Sequence, residues 1–297
     1  MQQIILAVLT AFPFVFACFF CVSVIKRQNR RRKSPLGENL LRGPGETLRR
    51  EISKNTDKLV NTSFSLFLVF IPPSLVFIFL AYIHNNLVPV WELALVFLLY
   101  VVLIVLGTRH FYRLLKQRFN LYLGLDAEEA VGQELNQLML SGCHVYHDFP
   151  AAKFNIDHVV AGPCGVFAVE TKGRTKPKDK DGKADHNLLF DGQKLQFPGW
   201  IETAPLDQAK RQAEWLSKWL TKATGTPIRV QGVLVLPGWY VTRKGTGPVW
   251  VMSGKEVYSL KNGRQVCSQQ MIQQVSHQLE QRCRDVGPTV YREESKK

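Results

Sequence analysis

What this chain lacks narrows it before any motif is read. Its six cysteines stand at 18, 21, 143, 164, 267 and 283, and none is joined to histidine in the spacing of a zinc site. Cys18 and Cys21 fall inside an apolar run, and the other four read as buried or surface thiols of a reduced compartment. Acid is scarce: 24 Asp and Glu stand against 38 Lys and Arg, a formal charge of +14. That excess suggests nucleic acid until it is divided along the chain. Residues 1–118 hold 15 basic and 5 acidic side chains, whereas residues 119–297 hold 23 and 19. The imbalance therefore sits mostly beside apolar segments and speaks first of a membrane surface. Ionisable residues inside those segments are few, with Glu92 near an end beside Trp91, which argues against transport. No basic residue precedes the first apolar run and no small-residue processing site follows it, so a retained anchor is read rather than a removed signal peptide.

Three apolar runs, at 4–25, 59–83 and 87–106, are each long enough to cross a hydrocarbon layer of about 30 Å. Pro13 and the Pro72-Pro73 pair are expected to bend two of them. Lys26, Arg27, Arg30, Arg31, Arg32 and Lys33 open a polar linker, taken as 26–58, and Arg109, Arg113, Lys116 and Arg118 follow the third run. Basic clusters collect on the cytoplasmic side, so three crossings are predicted, with the N-terminus outside. The expected division is a membrane region over 1–118 and a cytoplasmic domain over 119–297. The basic arm also suits phospholipid headgroups or RNA.

The second half reads as mixed α/β. Asp126 with Glu129 resembles a capping box, and Val131, Leu135, Leu138 and Met139 form an apolar stripe of a helix beginning there. Glu128 falls on that stripe, and an inward-facing acid needs a partner. Residues 143–148 alternate as a strand that Pro150 ends. Two β-rich runs, 156–160 and 166–171, flank Gly162-Pro163-Cys164-Gly165 as a hairpin. A turn centred between Pro163 and Cys164 sets Asp157 opposite Glu170, with Lys172 on the same face. Two carboxylates so placed repel unless a cation lies between them, and a divalent ion with oxygen ligands meets that need. His158 points to the other face, as a core residue.

Further along, 173–187 is a charged loop whose Arg174, Lys176 and Lys178 begin one residue past Lys172, in reach of a phosphate backbone. A second hairpin, 188–190 with 195–197, turns at Asp191-Gly192, and Trp200 after it suits core packing or base stacking. An amphipathic helix over 206–220 carries Lys210, Arg211, Lys218 and Lys222, read as solvent-facing. A buried strand at 228–236, edge strands at 249–252 and 257–258, and a last helix over 268–286 complete the reading.

Asp157, twelve residues and then Glu170-Thr171-Lys172 resemble the D-x(n)-E-x-K core of the PD-(D/E)xK nuclease superfamily. The run IDHVV…GVFAVETKG is similar to the nuclease-related (NERD) domain, with Ala127-Glu128-Glu129-Ala130-Val131 upstream and Gln208 downstream in PLDQAKRQAEWL. The resemblance spans roughly residues 120–240. It implies a restriction-endonuclease-like mixed sheet flanked by helices, here preceded by a three-helix transmembrane region. It further implies Mg²⁺ or Mn²⁺ on Asp157, Glu170 and the Thr171 carbonyl, with Lys172 orienting a water, Glu128 as a further acid and Gln208 orienting the site. Ala127 stands where the family has Gly, and Gln212 where related nucleases often carry Tyr. The function expected is a membrane-anchored, divalent-metal-dependent nuclease acting on DNA in preference to RNA, at the cytoplasmic face of a bacterial inner membrane. The rival is a nuclease-like module that binds nucleic acid or a partner without cutting. A third reading gives the work to the membrane spans themselves. The sequence does not specify an oligomeric state.

Overall fold

Strand alternation and helix periodicity in this chain resolve into the following elements in a computed structural model, which describes residues 40–68, 71–84, 88–178, 182 and 184–287. The helices are α1 (Glu46–Leu68), α2 (Ile71–Ile83), α3 (Val90–Asn136), α4 (Ala204–Thr224) and α5 (Gln269–Cys283). The strands are β1 (Leu40–Leu41), β2 (His144–Pro150), β3 (Asn155–Gly162), β4 (Gly165–Thr171), β5 (Asn187–Phe190), β6 (Leu195–Phe197), β7 (Trp200–Glu202), β8 (Val230–Leu236), β9 (Tyr240–Arg243), β10 (Val249–Ser253) and β11 (Arg284–Val286). The chain forms two compact units. Residues 1–41 with 283–297 make one, whose described part includes the short antiparallel pair β1 and β11. Residues 42–282 make the other and carry everything below.

Its main sheet has the order β10-β8-β4-β3-β2. β2, β3 and β4 are antiparallel neighbours, while β4, β8 and β10 run parallel. Because successive side chains alternate, Val160, Phe167, Val169, Val233 and Val235 meet Val131, Leu135 and Leu138 on one face. On the other face Leu234 and Leu236 pack against Leu206 and Ala209 of α4. A smaller sheet, β7-β6-β5-β9, shares that second core. Its Asp191 carboxylate accepts the amides of Gln193 and Lys194 and so closes the β5–β6 turn, which makes the loop longer than the two-residue turn expected.

Four expectations are corrected. The linker 26–58 is helical from Glu46, because Ile52, Asn55 and Leu59 recur at helical spacing and bury one face of α1. No helix starts at Asp126: α3 runs unbroken for 47 residues, roughly 70 Å, and passes through 118 without interruption. The Val257-Tyr258 strand is instead part of a 3-10 turn, Gly254–Lys261, started by a capping box between Ser253 and Glu256. Met139, expected on the buried stripe, is exposed.

The three-span expectation is reduced as well. Among the described residues one helix, counted from Val90 to Ser141, is long and apolar enough to cross a membrane, and none of its most apolar segment is buried. Residues 59–83 are divided between the end of α1 and α2. The run 4–25 and the basic arm at 26–33 lie outside the described residues. α1 and α3 pack side by side in opposite directions: Asn55 Nδ2 reaches the Leu114 carbonyl at 3.4 Å, and Arg118 Nη1 reaches Thr56 Oγ1 at 2.6 Å. Beyond those contacts the two helices and α2 expose large apolar side chains, among them Phe64, Phe79, Phe97 and Leu106.

Candidate active site

The β3–β4 ladder runs from Gly162↔Gly165 to His158↔Val169, which is the register expected from the turn. One step further Asp157 and Glu170 stand opposite each other at the sheet's end. The Asp157 Oδ2 accepts the Thr171 amide at 2.7 Å, continuing the pairing through a side chain. Glu170 is buried, with Lys172 Nζ 2.5 Å from Oε1 and Gln212 Nε2 2.6 Å from Oε2. Gln212 also donates to the Asn155 carbonyl at 3.3 Å, which ties α4 to the start of β3.

Glu128 reaches the same place from α3. Burial lifts its carboxyl to about 8, helped by the charges of Asp148 and Glu170 and opposed by Lys172 and a hydrogen bond from the Gly45 amide. Burial likewise raises Asp157 well above the ordinary range, with Glu170 and Glu128 pushing the same way. Glu170 and Glu128 thus lie near enough to Asp157 for their charges to raise its carboxyl, with the Lys172 ammonium opposing them.

Asp148 joins the site without standing out in the sequence. It falls between the pairs His147↔His158 and Phe149↔Ile156, at the β2 position facing Asp157. Its φ of +48° takes its side chain out of the ladder. There the buried Oδ2 accepts Arg42 Nη1 at 3.0 Å, the Thr47 amide at 2.9 Å and the Thr47 hydroxyl at 2.7 Å, while Asn155 Nδ2 bonds Oδ1 at 3.0 Å. Burial raises this carboxyl, and the bonds from Thr47 and the charge of Arg42 hold it back. The first turn of α1 therefore presents its free amides to two acids, as a helix N-terminus favours. Gly45, at φ +69°, makes that approach feasible. The signal for Asp148 was its place at the end of a strand beside the Asp157 hairpin; Arg42 and Thr47 gave none, lying far off in sequence.

The other expected residues are distributed as follows. Gln208 is half-buried and makes no side-chain hydrogen bond to the site among the described residues; Gln212, one turn on, makes it instead. Thr171 has its amide on Asp157, and its hydroxyl is buried with no partner among the described residues. Gly173 lets the backbone after Lys172 pass under α3: a Cβ there would lie 2.6 Å from the Leu123 carbonyl oxygen. Arg174 is not free for phosphate, since it pairs with both oxygens of Glu202, at 2.9 and 2.8 Å. That pairing holds the Glu202 carboxyl below its usual range. Lys176 and Lys178 are exposed. Trp200 stacks on Phe197 with ring centroids 4.6 Å apart, in the core of the smaller sheet.

His158 is fully buried on the opposite face, as expected, with Nδ1 2.8 Å from Nδ1 of His147. His147 Nε2 faces Asn136 Oδ1 at 3.0 Å, so that nitrogen carries hydrogen and His158 donates to His147. Burial holds His147 down at about 4 and His158 well below the usual imidazole value.

Among the described residues no group of three or more His, Cys, Asp or Glu side chains converges at metal-ligand distance. The donor set nonetheless suits a hard divalent cation: it is all oxygen, in carboxyl excess, and each Glu170 oxygen keeps a second acceptor direction beyond its present donor. Residues 123–237 match the family model of the nuclease-related domain. No match was found among curated proteins or among solved structures.

Proposed function

We propose that this protein is a membrane-anchored nuclease that hydrolyses phosphodiester bonds, of DNA in preference to RNA, with Mg²⁺ or Mn²⁺. One observation carries the reading: Asp157 and Glu170 oppose each other at the end of the β3–β4 ladder with Lys172 paired to Glu170. The match to the nuclease-related domain covers all three residues. Asp157 and Glu170, with the Thr171 carbonyl, would hold the ion, which when bound supplies Lewis-acid charge stabilisation and a more acidic water. Lys172 holds an ammonium beside the reacting phosphate, where it offsets developing charge. Gln212 fixes the Glu170 carboxylate, and Asn155 and Thr47 fix Asp148 on β2. Glu128, whose carboxyl burial and the neighbouring acids raise in the metal-free site, stands as a further acid there.

The exposed apolar side chains of α1, α2 and α3 support insertion in a lipid bilayer. The basic residues at 109–118 then favour a cytoplasmic location for the nuclease-related part, at a bacterial inner membrane. The test is nicking of circular DNA by the purified protein in detergent, with and without Mn²⁺. Metal-dependent nicking abolished by Asp157→Ala is expected; nicking that survives the substitution would overturn the reading. A non-cleaving, nucleic-acid-binding role is the second reading. It is favoured by the closure of Glu170 between Lys172 and Gln212, and it predicts nucleic-acid binding without nicking in either metal.

A further inference from the structure

The outward face of α4 carries an arrangement that the hydrolytic site does not use. At 3.6 residues per turn, Lys218, Arg211, Lys222, Trp215, Trp219 and Gln212 fall in that order across a sector of about 120°. Gln212 is the buried margin and holds Glu170; the three cations are the exposed margin; the two tryptophans lie between, half-buried. Asp207 and Glu214 lie just beyond the cationic edge, outside the sector. Trp215 and Trp219 are parallel, with centroids 6.2 Å apart. Phe154, 37% exposed, meets Trp215 edge-on at 5.6 Å and immediately precedes Asn155, whose carbonyl Gln212 holds. The Arg282 guanidinium lies over Trp215 and Trp219 at 5.8 and 5.2 Å, and Arg282 forms no ion pair among the described residues. Packing alone needs neither an exposed ring on a loop nor, beside it, a row of cations that have no carboxylate partner among the described residues.

Resting on the nuclease reading, we propose that this face binds one unpaired strand of nucleic acid and leads it to the acids. Bases stack on Phe154 and Trp215, and phosphates lie along Arg211, Lys218 and Lys222. Stacking needs base faces that a duplex hides, whereas every unpaired base offers one. Three cations along one helix face match a backbone charge that recurs with every nucleotide. Gln212, one turn from Trp215, ends the track at Glu170.

The test uses the whole protein in nanodiscs with EDTA, so that binding is read without cutting. Fluorescence anisotropy compares labelled twelve-residue oligo-dT, oligo-U and a duplex of equal length. Single strands are expected to bind about tenfold tighter than duplex, and the Phe154→Ala/Trp215→Ala double variant to lose roughly tenfold. Trp215→Phe should keep most of the affinity and an unchanged melting temperature, which separates lost stacking from lost folding. Changing Arg211, Lys218 and Lys222 to Gln should flatten the salt dependence by about two in the log–log slope. Binding in the dT arm, the U arm or both supports the track and identifies the sugar it accepts. Equal affinity for duplex, or unchanged binding by the ring variant, overturns it. Absent nicking with strand binding on these residues intact defeats the nuclease reading alone; nicking with ring-independent binding defeats the track alone.

Discussion

Gln212 donates to Glu170 at 2.6 Å from a buried position on α4, four residues past the glutamine singled out in the sequence. Removing that amide leaves a buried carboxylate short of a donor, a loss of about 1.5–3 kcal/mol for a bond to a charged group. Gln212→Ala is therefore expected to lower the nicking rate by roughly 10- to 100-fold. Gln208→Ala should stay within about threefold, since a half-buried side chain without such a bond has little to lose. Initial rates on supercoiled plasmid decide it, and equal losses in the two variants would refute the assignment.

Arg42 and Asp148 are both buried and 3.0 Å apart. Arg42→Met strands the carboxylate, at a cost of about 3 kcal/mol. Adding Asp148→Asn removes the stranded charge and should restore part of that loss. Thermal unfolding followed by tryptophan fluorescence measures both; a double variant less stable than Arg42→Met would refute the pairing.

A methyl group at position 173 has nowhere to go, because the Leu123 carbonyl is part of α3's own hydrogen-bonded backbone. Gly173→Ala is expected to cost about 1–3 kcal/mol and to displace Lys172 with it. A lowered melting temperature together with weaker nicking would be seen; a neutral outcome on both would mean that β4 leaves the sheet by another path.

Two buried groups set opposite pH limits in the metal-free protein. His147 is held at about 4, so the unfolded chain takes up its proton first as pH falls below about 6.5. This stability is complete above pH 6.5 and lost progressively towards pH 4. Glu128, raised to about 8, behaves in the reverse sense: its contribution is complete below about pH 4.5 and lost as pH rises through 8. Between about pH 4.5 and 6.5 the two oppose each other, and from about 6.5 to 8 the Glu128 loss acts alone, so melting temperatures in EDTA should fall as pH rises through that upper window. Glu128→Gln should shrink the alkaline decline, to which the raised Asp157 also contributes, and unmask the acid one; an unchanged alkaline limb would clear Glu128 of the role.

The central hairpin was legible because its information is local. Gly162-Pro163 fixes the turn, the alternation on either side fixes the faces, and together they put Asp157 across from Glu170. Glu128 was legible from helical phase alone. What escaped was long-range or depended on exact phase. The buried stripe of α1 includes Asn55 among charged neighbours, so its amphipathicity is faint. Choosing between Gln208 and Gln212 needs the rotation of α4 against β4, which spacing does not supply. Asp148 needed a backbone φ that only the assembled strand end reveals. Arg174 reads as a phosphate ligand in the sequence because its partner Glu202 lies 28 residues away.

The seating of α1 on Asp148 and Glu128 bears on how the protein is to be handled. Trimming the chain at residue 119 to obtain a convenient fragment free of apolar helices would discard Arg42, Gly45 and Thr47 along with those helices. The acids they serve would be left bare, and a silent preparation would report on the surgery rather than on the protein. Any shortened version worth assaying has to keep the stretch from Arg42 through the first turns of α1, fused or supplied as a separate peptide.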